Sequence, residues 1–161
     1  MKKGLIILVL LFCGALARAQ TLSMSDLTNL ATFDMANANN FLVIGKPFKQ
    51  TYMQDVNKLT IHHYEGKSPE SKNETVTVGD GFVTASGTLL HKVTYTSTQI
   101  KYVQNLIGQT HSVGLRRLFM GNDKYNNIYV YNNQLYTVRI FIKSDNSLGT
   151  VEVKQNDFVN Y

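Results

Sequence analysis

NIYVYNNQLYTVRIFIK, residues 127–143, reads as strand, turn and strand in one run. Residues 128–131 and 135–143 are rich in β-branched and aromatic side chains, and Asn132 with Asn133 suits a two-residue turn because asparagine tolerates positive φ. Such a turn sets Tyr131 opposite Gln134 and Tyr129 opposite Tyr136. Facing residues share a side of the pleat, so Tyr129, Tyr131, Tyr136, Val138, Ile140 and Ile142 form one face that needs a covering layer. The other face carries Ile128, Val130, Leu135, Thr137, Arg139 and Phe141.

Outward from this hairpin the chain alternates helical and strand patterns. Residues 113–120 read as a strand before a turn at Gly121-Asn122-Asp123, and 150–155 as a last strand. Phe158 and Tyr161 predict a docked tail, since aromatic surface is costly to leave in water. Ser97 can cap a helix with Ile100, Val103, Leu106 and Ile107 on one stripe and Gly108 as its stop. Ser25 can cap an earlier helix over 26–39, in which Leu27, Leu30, Ala31, Met35 and Ala38 recur at helical spacing. Between the helices lie an extended piece at 47–53, a strand at 59–64 and a polar loop at 65–73. Short strands at 75–78 and 82–85 then flank a tight turn at Gly79-Asp80-Gly81, and a longer strand covers 88–96. The expected fold is α+β: an antiparallel sheet of about seven strands with two helices on one face.

The first residues, MKKGLIILVLLFCGALARAQ, combine Lys2 and Lys3, an apolar run and Ala17-Arg18-Ala19 as a small-x-small cleavage site. That composition is a secretory signal peptide over 1–19, with 20–161 as a single α+β domain exported to the periplasm or beyond the cell. Cleavage after Ala19 would leave 142 of the 161 residues, enough for a core without staples. Cys13, the single cysteine, leaves with the leader, which excludes disulfides and cysteine chemistry. Lys2, Lys3 and Arg18 leave as well, so the formal charge falls from +5 to +2, 13 basic residues against 11 acidic. A nucleic-acid partner needs a dense phosphate-neutralising patch, and Arg116, Arg117 and Lys124 do not amount to one.

The two halves repeat the order helix then meander. Phe48, Tyr52, Met53, Asn57, Leu59 and Ile61 echo Leu115, Phe119, Met120, Asn126, Ile128 and Val130, which points to two α-then-meander units. With the Ala19-Gln20 processing site, this order of elements resembles small exported bacterial proteins built from paired α/β units, the β-lactamase-inhibitor-like fold. The resemblance implies a binding role on an extracytoplasmic scaffold. Inhibitory domains of that kind rely on cysteines that the mature chain lacks, so no inhibitory residues carry over.

Chemistry is thin. His62 and His63 are adjacent in a strand and point to opposite faces, which disfavours a shared metal ion, with His91 two strands away. Ser86 lacks the glycine spacing of a nucleophile elbow. Glu65, Glu70 and Glu74 fall in or beside one polar loop, where solvation leaves carboxylates ordinary. Gly79-Asp80-Gly81 lacks the lysine of a phosphate loop, and no cofactor motif is present. The expected function is a non-enzymatic binding module whose partner is another protein or a second copy. Its contact residues would be Ile128, Val130, Leu135, Arg139 and Phe141, on a sheet face with a central arginine. An immunity or inhibitor protein against a periplasmic enzyme, and a small hydrolase with a histidine-carboxylate site, are the alternatives.

Overall fold

The 127–143 hairpin keeps its faces but moves its turn. Tyr131 lies opposite Val138 and Tyr129 opposite Ile140, so the bend centres on Gln134 and Leu135, two residues later than the asparagine pair predicts. Asn133 opens it with its side chain: Oδ1 accepts from the amides of Leu135 at 2.9 Å and Tyr136 at 2.8 Å. A turn displaced by two leaves every residue on its own side, because the pleat also repeats every two residues.

We describe residues 21–84, 87 and 89–157 of a computed structural model. The signal peptide expected at 1–19, Ser86 and the docking expected of Phe158 and Tyr161 lie outside these residues. Eight strands, rather than seven, form one sheet: β1 (Phe48–Val56), β2 (Leu59–Gly66), β3 (Glu74–Val83), β4 (Leu89–Ser97), β5 (Arg116–Asn122), β6 (Asn126–Asn132), β7 (Tyr136–Lys143) and β8 (Gly149–Gln155). Their order is β1-β2-β3-β4-β8-β7-β6-β5, antiparallel throughout. Each four-stranded meander thus joins the other through its last strand. Gly79-Asp80-Gly81 is not a turn. β3 runs through it with a bulge at Gly79, whose φ of +97° only glycine adopts without strain.

Among the described residues there are three α-helices, α1 (Met24–Leu30), α2 (Met35–Asn40) and α3 (Ile100–Gln109). The helix expected over 26–39 is broken because Asp34 starts a new one, its carboxylate accepting from the Asn37 amide. Ser23, not Ser25, caps α1, in a reciprocal box with Asp26. α2 continues as a π-helical turn, Phe41–Gly45, and α3 as a 3-10 turn, Thr110–Val113. The stop after α3 is left-handed Gly114, not Gly108. Ser97 does not cap α3 from the N-cap position; that residue is Gln99, whose amide donates to the Ser97 hydroxyl.

Leu27 and Leu30 of α1, Ala38 of α2 and Val103 and Leu106 of α3 share one buried cluster with Val76, Val78, Val93, Tyr95, Val138, Ile140, Val151 and Val153. Those strand residues alternate along β3, β4, β7 and β8, so they occupy one face of the sheet. Each fully buried aliphatic side chain here contributes about 1.5–3 kcal/mol.

The two meanders share an irregularity of register. β1 bulges at Thr51 and β5 at Leu118, and directly after the bulge Tyr52 pairs with His63 and Phe119 with Val130. The echoes Phe48/Leu115, Tyr52/Phe119 and Met53/Met120 are therefore structural equivalents. The later three are two residues out: Ile61 corresponds to Ile128, and His63 to Val130.

Candidate functional site

Directly paired residues project from the same side of a sheet. Following the pairs from edge to edge on the side opposite the buried cluster gives a single row: Tyr52, His63, Thr77, Thr94, Glu152, Arg139, Val130 and Phe119. The row reads the same way from both ends. Thr94 and Glu152 face each other at its centre, Thr77 answers Arg139, His63 answers Val130, and Tyr52 answers Phe119.

Of the contact residues expected from sequence, four come together. Ile128 pairs with Phe141 and Val130 with Arg139, so two adjacent cross-strand pairs share this side. Arg139 is exposed, and the other three are half-buried. Leu135 leaves the group: it sits in the β6–β7 turn beside Gly114, Arg116 and Gln134. Sequence reasoning missed the neighbours of Arg139. Glu152, Lys154, Lys92 and Asp80 reach it only through pairings of β8 with β7 and β4 and of β4 with β3, which the hairpin pattern does not encode.

These residues line a cavity of about 590 Å³, with Phe82, Thr137 and Asp157 among its other walls. Lys92 forms an ion pair with Asp80. The Lys154 ammonium lies 3.9 Å from the centre of the Phe82 ring, a cation-π contact. Arg139 and Glu152 face each other from neighbouring strands without an ion pair.

At the first edge, Tyr52 stacks on His63 with ring centres 4.0 Å apart. Burial, and secondly the neighbouring His62, hold the His63 imidazole below its ordinary pKa, and its Nδ1 lies 3.4 Å from the Thr77 hydroxyl. His62 pairs with Val78, on the side of the buried cluster, and its ring lies against Tyr64. Among the described residues there is no group of three or more His, Cys, Asp or Glu side chains placed to hold a metal ion.

Glu74 is a correction to the sequence reading. It is fully buried, not solvated, and accepts from Tyr95 at 2.8 Å and Thr21 at 2.6 Å. Burial pushes its carboxyl above the ordinary range despite these two donors, and burial together with Glu74 pushes the Tyr95 phenol up. This trio ties the start of the described chain to the core.

Among the described residues no helix is long and apolar enough to cross a membrane. No protein-family model, curated protein or solved structure matches this chain.

Proposed function

We propose that the chain is an exported, non-enzymatic binding domain that engages another protein through the side of the sheet opposite its buried cluster. The observation that carries this reading is the edge-to-edge row from Tyr52 to Phe119. Both of its ends are exposed aromatics, 56% and 52% accessible, and Val130, Ile128 and Phe141 lie half-exposed beside the second. A row of aromatic and apolar side chains around a central arginine has the composition of a contact surface. In this reading the helices lie on one face only, which leaves the row uncovered. An inhibitor or immunity protein against a periplasmic enzyme is the alternative kind of binder, told apart by its partner alone.

The test is capture on the immobilised mature chain from its own envelope fraction, with sedimentation velocity to detect self-association. A stoichiometric partner should be retained by the wild type and lost by a Phe119→Ala, Phe141→Ala double variant whose circular dichroism is unchanged. Retention by the variant would place the contact elsewhere. Turnover of a peptide or sugar library with no partner recovered would replace this reading with the hydrolase.

A further inference from the structure

We propose that the cavity between residues 80–82 of β3 and strands β7 and β8 binds a small zwitterion, an amino-acid-like molecule with a carboxylate and an ammonium beside an apolar group. Arg139 receives the carboxylate, Glu152 the ammonium, and Phe82 the apolar part.

The comparison within the sheet carries the argument. Positions related by the repeat about Thr94 and Glu152 hold Thr77 against Arg139, Thr96 against Lys154, and Thr75 against Thr137. The first unit fills these places with threonines, two of which hydrogen-bond each other at 2.6 Å between Thr75 and Thr96. The backbone thus accepts threonine where the second unit presents Arg139, Glu152 and Lys154.

Their pairing points the same way. Lys92 is neutralised by Asp80 and Lys154 is seated over Phe82, while Arg139 and Glu152 stand opposite each other unbonded. With Asp157 at the rim the cavity holds as many acids as bases, so a ligand of one sign would meet repulsion from half of its walls. A molecule carrying both signs engages Arg139 and Glu152 together, each through a charge-assisted hydrogen bond. The volume, about 590 Å³, is of small-molecule size. An arginine fork also suits a carboxylate bidentately.

This shares with the protein-contact reading the premise that this side of the sheet is left open. Its test uses only the purified chain, so the two fail separately. The ¹⁵N-labelled chain is titrated with phenylalanine, 3-phenylpropionate and 2-phenylethylamine, and amide and Arg139 Nε shifts are followed. Phenylalanine should give saturable shifts confined to the neighbourhood of Phe82, Arg139, Glu152 and Lys154. Each single-charge analogue should bind roughly tenfold more weakly or worse, as should Arg139→Thr and Glu152→Thr, which copy the first unit. Should Arg139→Thr fail to fold, Arg139→Lys, which keeps the charge and loses the fork, is expected to weaken binding in the same direction. The inference is overturned by the absence of saturation, by an analogue that matches phenylalanine, or by folded variants that bind like the wild type.

Discussion

The first four strands and the last four are antiparallel meanders of the same order that differ in what projects from them. Each unit has an edge strand with a bulge followed by an exposed aromatic and an exposed methionine, Tyr52-Met53 and Phe119-Met120. Each has a buried tyrosine on the next strand, Tyr64 and Tyr131. The connections differ. Twelve positions separate Tyr64 from Val76 but seven separate Tyr131 from Val138; fifteen separate Val78 from Val93 but eleven separate Ile140 from Val151. Both extensions belong to the first unit, and one of them carries Phe82 to the charges of the second. The cavity therefore needs both units: a lengthened hairpin from one, and charged side chains from the other.

The sharpest way to break the comparison is at Gly66 and Asn133, which occupy equivalent places at the ends of β2 and β6. A Cβ on Gly66 would lie 1.8 Å from the Ser71 carbonyl oxygen, because the longer loop folds back against the strand. Gly66→Ala should therefore cost roughly 3 kcal/mol or more, or prevent folding. Asn133→Ala removes the side-chain acceptor of a tight turn and should cost only about 1 kcal/mol. Urea midpoints of the two variants check this. Equal losses would mean that the long loop is not packed as described.

What the sequence made legible follows the same division. The faces of β6 and β7 were readable because an even displacement of the turn does not change them, and the exposed pairs after the bulges were readable as an echo. The bulge at Gly79 was not: Gly-Asp-Gly is a turn by local chemistry, and only pairing with β4 on both sides keeps the strand continuous. The break between α1 and α2 was hidden by an apolar spacing that runs through it, although Asp34 three residues before Asn37 is the signal that marks it. Most of the cavity was invisible for a stronger reason. Arg139, Glu152 and Lys92 come from β7, β8 and β4, and only long-range pairing makes them neighbours.

A second test concerns the core. Tyr95 corresponds by register to Val153 and Glu74 to Tyr136, so the phenol–carboxyl pair of the first unit has no counterpart in the second. Tyr95→Phe should cost about 1–3 kcal/mol at neutral pH, since Glu74 loses a donor in a place water does not reach. The pH dependence has a definite sign. Burial raises the folded pKa of Glu74 above its ordinary 4.5, so the folded state holds the proton more tightly than the unfolded chain. The associated stability is complete below that ordinary value and is lost as pH rises through the raised one. Glu74→Gln should flatten this part of the profile, and Tyr95→Phe, by removing a group that favours the carboxylate, should extend the decline to higher pH. Denaturation midpoints between pH 4 and 8 measure both, and no change in slope for Glu74→Gln would show that the carboxyl is not desolvated.

The smallest effect separates the two edges. Tyr52 stacks on an imidazole, whereas Phe119 pairs with Val130 and lays its ring over Gly121, so the first edge aromatic rests on a titratable ring and the second does not. His63 is held below its ordinary 6.5 first by burial, and its neutral ring contributes stability that is present above that value and lost as pH falls below it. Tyr52→Ala removes the stacked ring and should let the His63 pKa climb back toward 6.5, with stability at neutral pH changing by less than about 0.5 kcal/mol. Phe119→Ala should leave every histidine unchanged. Imidazole proton shifts followed against pH resolve the difference. An unmoved His63 in Tyr52→Ala would assign its burial to the strand beneath it.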